Sequence, residues 1–458
     1  MSHSIFCFLE QKKANIRYFW GAAFLIALLT VCFCRTVIAE DTLCFNRTDF
    51  GEDNTESNVA SPVSYSLRVA GEAEHISLSD SWLNPSNILD RPETRFEAFT
   101  IGNVLYKTMG GVFETEIRFG HEYTEDGSSN SQTDLDVNQF YYQKKFDGIS
   151  VIAGRKKVRW GVGYSYSPTD LVSQLRNPED PEDRLGKVKG ADILEMSFNR
   201  ENSQLDVAYV PQLDWNFDGA FVRNNRLAIR WYRFMDPYDG SLVGSIDEHG
   251  KWSAGFNTSS TYGKALELHA EYLYTSSTGR LYPDTSLAPD SFSIPYFGER
   301  SGGYHEILLG GQYTFNNNLN LTLEYFFTSN GLSDSEFRSF AAHTNYLNTQ
   351  YPTGSDPDPS LAGLFESASN YVLPLRKHYL FSRLYHPEVF KSVSLEMYSY
   401  LSLSDGSGFL VIQPKFEKAK NYDLYLRMKK FWGNNDSEFG LVPDDFSALL
   451  GFSLYLGS

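Results

Sequence analysis

Three cations alternate within a short run. Arg155, Lys157 and Arg159 lie in AGRKKVRWGVGYSYSPTDL, residues 153–171. On a strand, alternate side chains share a face, so the three are expected to stack as a basic ladder, about 6.6–6.8 Å between successive members. Acidic residues repeat on the same period elsewhere. Glu114 and Glu116, followed by Arg118, share one parity of GVFETEIRFGHEYT, and Glu267 and Glu271 share one parity of KALELHAEYLY. Facing rows of opposite charge are the chemistry of polar-solute selection and orientation by a transverse field. A fourth group, Glu179, Asp180, Glu182 and Asp183 in NPEDPEDR, is dense in the oxygen ligands that hard divalent cations take. No glycine is placed as in a calcium loop, and Arg176 and Arg184 flank the run. The expected reading is therefore a solvated acidic loop, or one folded against the basic ladder, with no metal.

Signals for covalent or redox chemistry are absent. There is no Gly-x-Ser-x-Gly, no His-Glu-x-x-His, no phosphate-binding loop and no haem-attachment motif. His121, His269 and His305 stand singly on strand patterns. No cofactor and no enzyme activity is expected. A hydrolase built from a Ser/His pair on adjacent strands is the least favoured alternative.

The elements that must position these residues read as strands. In GVFETEIRFGHEYT, Phe113, Thr115, Ile117, Phe119 and Tyr123 take one parity and Glu114, Glu116, Arg118 and Glu122 the other. That strict period of two is a β-strand. The same pattern recurs at Leu135–Phe146, Ile149–Trp160, Leu205–Pro211, Leu227–Phe234, Ala265–Tyr274, Ile307–Phe315, Leu319–Phe327, Val393–Leu403, Tyr422–Phe431 and Phe446–Leu456. It is weaker at Ser64–Glu72, Phe96–Lys107, Ala191–Asn199, Leu242–Ile246, Trp252–Asn257, His378–Tyr385 and Phe409–Phe416. No convincing amphipathic helix interrupts the series. About eighteen strands (16–18) are expected.

The connectors sort by length. Those after even-numbered strands are short: 108–111, 147–148, 200–204, 235–240, 258–264, 316–318, 386–390 and 417–421. Every long one follows an odd-numbered strand: 74–94, 161–190, 275–303, 329–375 and 432–444. A closed meander alternates its connectors between two ends, whereas a Greek-key sandwich has no reason to sort them. The expected fold is all-β, a transmembrane antiparallel up-and-down β-barrel over 63–458, with short periplasmic turns and long external loops. Phe113, Ile117 and Phe119 then face lipid. Glu114, Glu116 and Arg118 face a water-filled lumen, as does the ladder of Arg155, Lys157 and Arg159, since cations in hydrocarbon are costly.

The N-terminus has the pattern of an export leader. Lys12, Lys13 and Arg17 precede the apolar stretch YFWGAAFLIALLTVCFC, and Val37–Ala39 offers a cleavage site. Residues 1–39 are expected to be removed, leaving 40–62 as a short periplasmic segment, too short for a globular plug. Three of the four cysteines precede that site, so Cys44 alone remains and forms no disulfide framework. The formal net charge is −17, which excludes a nucleic-acid partner. Expected partners are outer-membrane lipid, lipopolysaccharide and the barrel-assembly machinery.

The Gly154-Arg155 strand running into Trp160-Gly161-Val162-Gly163 and a proline-containing loop resembles the corresponding segments of large single-chain outer-membrane channels of the alginate-export and capsule-assembly type. The loop RNPEDPEDRLGKVKGADIL resembles the one such strands lead into. That resemblance implies a channel or surface anchor for secreted polysaccharide. The barrel reading alone implies an outer-membrane channel for passive passage of small polar or anionic solutes.

Overall fold

The computed structural model describes residues 62–457, apart from 109, 126–128, 174–176, 214–223, 293, 352–358 and 420. The expected leader, Cys44, Arg176 and nearly all of the 40–62 segment lie outside the described residues. Eighteen strands form one antiparallel sheet that closes on itself, because β1 (Val63–Leu78) pairs with both β2 (Thr94–Thr108) and β20 (Asp444–Gly457). Between them run β3 (Gly111–Glu125), β4 (Ser129–Phe146), β5 (Ile149–Lys156), β6 (Ala191–Arg200), β7 (Ser203–Val210), β8 (Arg226–Met235), β9 (Tyr238–Asp247), β10 (Trp252–Tyr262) and β11 (Leu266–Thr275). Then follow β14 (Tyr304–Thr314), β15 (Asn320–Thr328), β16 (His378–Phe390), β17 (Val393–Ser402), β18 (Gly408–Ala419) and β19 (Tyr422–Trp432). A separate hairpin, β12 (Leu281–Pro283) with β13 (Phe297–Glu299), sits in one long connector. Each of the eighteen expected strands is present; every long connector lies at one end of the barrel, which also carries short ones after β9 and β17, and the connectors at the other end are all short.

Strand β17 shows why the sequence closes this way. Its burial alternates residue by residue: Ser394, Glu396, Tyr398, Tyr400 and Ser402 are inside, while Val393, Leu395, Met397, Ser399 and Leu401 are outside. On β20 the outward set is Leu450, Phe452, Leu454 and Leu456, all exposed. The same holds round the wall, through Ile117, Leu194, Ile229, Leu242, Leu268, Leu309 and Leu323. A continuous exposed apolar belt of this kind is stable against hydrocarbon, not water. Among the described residues no helix is long and apolar enough to cross a membrane.

Two expectations fail here. The connector 329–375 is not without helices: α1 (Asp334–Gln350) and α2 (Pro359–Asn370) occupy it. Ser333 and Glu336 form a reciprocal capping box at the start of α1. Phe337 and Phe340 of that helix bury against Leu83, Tyr282, Tyr296, Phe297, Leu332, Leu375 and Leu441, so the long connectors share one apolar core. Second, the strand read as Ile149–Trp160 stops at Lys156, which changes the fate of the basic ladder.

The outward set fixes a first test. Leu323 is 45% exposed at the middle of β15. Leu323→Arg is expected to cost about 2–4 kcal/mol if that position lies at the bilayer midplane, read from refolding equilibria in lipid vesicles. A cost near zero would place this face in water.

Candidate functional site

The inward face of the barrel is filled by its own long connector, residues 157–190. The first limb, Trp160–Leu171, lies along β10, β11 and β15. Two carboxylates on that wall receive it. Glu271 of β11 accepts the backbone N–H groups of Val162 and Gly163 at 2.6 Å each and that of Thr169 at 2.9 Å. It also accepts the hydroxyls of Ser167 and Thr169. Glu324 of β15 accepts the N–H groups of Tyr164 and Ser165 at 2.6 and 2.7 Å, the Ser165 hydroxyl at 2.5 Å, and pairs with His269 Nε2 at 2.8 Å. Successive N–H groups converging on one anion make a backbone nest; here the anion is a wall side chain and the nest belongs to the loop. Gly163 lets the backbone come that close, since a Cβ there would overlap the Tyr166 carbonyl and the Leu308 side chain.

Apolar residues of the same limb fill the remaining space. Trp160, Leu171 and Val172 pack with Tyr141, Ile152, Ile193, Ala208, Val243 and Leu273. Tyr166 stacks on Phe326, ring centroids 4.7 Å apart, within a cluster that includes Tyr379, Phe381, Tyr398, Tyr400, Phe409 and Phe431. Much of the inward face along these strands is therefore packed and aromatic.

The second limb, Asn177–Lys187, crosses to the opposite wall, where cations and carboxylates alternate. Glu179 pairs with Lys429 of β19 at 2.8 Å, and its carbonyl accepts from Arg427 and from the Tyr398 hydroxyl. Glu182 pairs with Arg383 of β16 at 2.9 Å, and Arg383 also holds Glu396. Arg184 pairs with Glu72 of β1, which also accepts the Tyr425 hydroxyl. Lys187 reaches Glu97 of β2 at 2.9 Å, and Arg118 of β3 binds Glu97 and donates to the Leu185 carbonyl at 3.0 Å. Burial alone would raise the Glu179 carboxyl, but Lys429 and Arg427 outweigh it and hold it below the usual carboxylate range. Burial pushes Asp183 up, against the pull of Lys157 and the N–H groups of Val188 and Lys187.

The basic ladder does not form. Arg155 lies directly opposite Phe140 of β4 and Asp192 of β6. Directly opposed residues share a face, and Phe140 is 51% exposed on the outer side. Arg155 thus takes the outward parity, where it forms a buried two-point pair with Asp192, Nε–Oδ1 3.0 Å and Nη2–Oδ2 2.9 Å, and donates to the Val137 carbonyl. Lys156 takes the inward place instead, bonded to Gln143 at 2.8 Å over the Tyr141 ring. Beyond Lys156 the chain leaves the wall. Lys157 pairs with Glu116 at 2.8 Å, and Arg159 binds the carbonyls of Gly161 and Gly163 within its own loop.

The acidic rows do face inward, yet they are bonded groups. Glu114 accepts from Asn103 and Tyr141, Glu116 from Asn138 and Lys157, and Arg118 is fully buried. Glu271 is buried as the loop's receptor, while Glu267, on the same face, is half-buried near the short-turn end. The acidic loop Glu179, Asp180, Glu182 and Asp183 folds against Lys429, Arg427 and Arg383, and Lys157 is the one ladder residue near it, 3.9 Å from Asp183. Among the described residues no cluster of His, Cys, Asp and Glu is arranged to hold a metal.

Sequence reasoning passed over Arg427 and Lys429, although YDLYLRMKKFW places them on the parity of Asp423 and Tyr425, opposite Leu424, Leu426 and Met428. Two cavities lie along this wall. One of about 450 Å³ lies toward the long-loop end, against Glu74, Arg91, Arg95, Arg427, Lys429 and Asp444. The other, about 180 Å³, lies toward the short-turn end, against Arg68, Glu396, Lys415, Asp423 and Tyr455. Asp180 and Arg184 line both.

Closed barrel, apolar belt and infolded loop together define a porin-like β-barrel of eighteen strands. The fold is shared with Pseudomonas aeruginosa OccK5 (OpdH), at 9% identity and a TM-score of 0.51 over 88% of this chain and 100% of that one. It is shared with Pseudomonas aeruginosa OccK7 (OpdD) at 9% identity and a TM-score of 0.50, over 87% and 100%. No family model matches the sequence, and no curated protein matches it. These likenesses lend nothing to the alginate-export resemblance.

Removing the loop's receptor is the direct test of the first limb. Each hydrogen bond to a charged acceptor is worth about 1.5–3 kcal/mol, so Glu271→Ala is expected to abolish amide-exchange protection at Val162, Gly163 and Thr169 while the strands stay protected. Unchanged protection would mean the limb is held by its apolar contacts.

A second test concerns the long-loop end. Glu438, fully buried, accepts from the Leu375 N–H and the Tyr379 hydroxyl, both at 2.6 Å. Burial pushes its carboxyl up to about 7, and the nearby Asp405 adds to this. A pKa raised in the fold gives stability that is complete below the unfolded value of about 4.3 and is lost as pH rises through 7. Amide protection at Leu375 and Glu438 is expected to fall from about pH 5 to pH 8, and Glu438→Gln to flatten the dependence. A wild-type profile without slope would refute it.

Proposed function

We propose that the protein is an outer-membrane channel for passive passage of small polar or anionic solutes. One observation carries the reading: two cavities that share Asp180 and Arg184 follow one another along the wall built by β1 and β17 to β20. Both are lined by charged side chains. The cavity at the long-loop end has five cations (Arg91, Arg95, Arg184, Arg427, Lys429) against four carboxylates (Glu74, Glu179, Asp180, Asp444). The smaller one has Arg68, Arg184 and Lys415 against Asp180, Glu182, Asp183, Glu396 and Asp423. An anion entering from the long-loop side meets a slightly positive vestibule and then a more acidic throat. The vestibule draws small anions in, the acidic throat opposes them unless its carboxylates stay paired with their cations, and the small volumes limit the size of what passes. The long connectors are taken as external, the eight short turns as periplasmic, and the leader as the export signal. A polysaccharide chain needs a continuous wide bore, which Tyr166, Trp160 and the second limb occupy, so small solutes are the better fit.

The test is conductance of the full chain in planar bilayers. Current is expected, with a reversal potential in a salt gradient that shifts toward cations when Arg91 and Arg95, paired with Asp444 and Glu74, are both replaced by Glu. The shift should be largest at low ionic strength, where screening is weakest. Steady current with unaltered selectivity would move the passage away from this vestibule, and no current at all would sink the channel reading.

A further inference from the structure

We propose that residues 177–183 form a displaceable latch between the two cavities, held shut by the ion pairs of Glu179 with Lys429 and Glu182 with Arg383, and opened by small anions that compete for those cations. The inference rests on the channel reading above and adds the element that regulates passage.

The partition follows from what lines the cavities. The 450 Å³ vestibule touches Asn177, Glu179, Asp180 and Arg184; the 180 Å³ throat touches Asp180, Pro181, Glu182, Asp183 and Arg184. The segment therefore has one cavity on each side, and a solute crossing from one to the other must pass it.

The two limbs of the connector are fastened differently. Trp160–Leu171 is tied by backbone N–H groups to two buried carboxylates and by buried aromatic packing. Residues 177–183 reach the wall by the Glu179–Lys429 and Glu182–Arg383 pairs, by the Lys157–Asp183 approach at 3.9 Å, and by the Glu179 carbonyl, which accepts from Arg427 and Tyr398. Tyr164 adds a long hydrogen bond of 3.4 Å to Glu182. The Glu182 side chain is 54% exposed. A pair with one member in water contributes little and is screened by salt.

The backbone turns sharply at the end of the latch. Asp183 has φ of 48°, in the left-handed region that disfavours a side chain, and Gly186 has φ of 62°. Just past Asp183 comes the fixed point, Arg184, whose guanidinium is buried with Glu72 and Tyr425. Loss of the two wall pairs loosens 177–183, which stays tethered at the Glu179 carbonyl by Arg427 and Tyr398, and leaves Arg184 and the first limb in place. Lys429, and Arg383 beside its remaining partner Glu396, are then within reach of a passing anion, so each solute anion lowers the cost of its own passage.

The experiment uses the full chain in planar bilayers with potassium chloride. Raising salt from about 0.1 M to 1 M cuts the screening length from about 10 Å to 3 Å. Conductance divided by bulk conductivity is expected to rise about threefold over that range for the wild type. The double variant Glu179→Gln, Glu182→Gln should show the high value already at low salt. The charge swap Glu179→Lys with Lys429→Glu should return to the wild-type curve, which loss of a merely structural contact would not do. Assembly is checked by heat-modifiable migration, and if a variant does not assemble the wild-type salt curve decides. A wild type that conducts with a flat normalised curve, or variants that follow the wild-type curve, overturns the latch and leaves the channel standing. No current from assembled wild type and assembled double variant overturns both.

Discussion

A wall of eighteen strands encloses more volume than its inward side chains can fill, and any chain that enters that volume brings backbone N–H groups that need acceptors. Glu271 and Glu324 meet this need. Between them they take five backbone N–H groups and four hydroxyl or imidazole groups of residues 162–169 and 269. Two buried carboxylates without those donors would be costly, and the loop without those carboxylates would carry unpaired amides into the barrel. Each makes the other tolerable, and the placement of residues 162–169 follows from that contact.

The opposite wall reverses the chemistry. Where β11 and β15 offer carboxylates to N–H groups, the second limb's carbonyls meet donors: Arg427 and Tyr398 for Glu179, Arg118 for Leu185, Asn138 for Gly186. The loop thus runs from an accepting wall to a donating one. A chain with a net charge of −17 gathers cations along the second wall, and most of their charge is used on its own acids. Charge inside the barrel therefore positions the loop as much as it acts on a solute.

The sheet was legible in the sequence because each strand needs only local information, a period of two, and because connector length alternates with strand number. The interior was not, because its contacts span long separations: Val162 meets Glu271 at a distance of 109 residues and Lys429 meets Glu179 at 250. The expected ladder failed for a specific reason. The argument that three cations cannot face hydrocarbon assumed that each lacked a partner. Arg155 has one, Asp192, supplied by a strand whose register no single-chain pattern reveals. Gly154, with φ of 120° and no room for a Cβ beside the Phe140 carbonyl, marks where β5 ceases to be regular. The α1 helix was legible and overlooked: Ser333-x-x-Glu336 followed by Phe337, Phe340, Ala341, Thr344 and Leu347 carries both the cap and the helical period.

A barrel that passes solutes has to be stable as a wall and yielding as a passage. The strands supply the first through ladder hydrogen bonds that have no aqueous competitor in lipid. The filling loop supplies the second only if its fastening is uneven, since a loop bound equally well everywhere would be a plug. The arrangement here is uneven in the required sense. Amide–carboxylate nests and stacked rings hold residues 160–171, whereas ion pairs, one of them with a half-exposed carboxylate, hold residues 177–183, which abut two cavities. Local stability is lowest where neighbouring contacts are few and wet, and that is the segment lying between the vestibule and the throat.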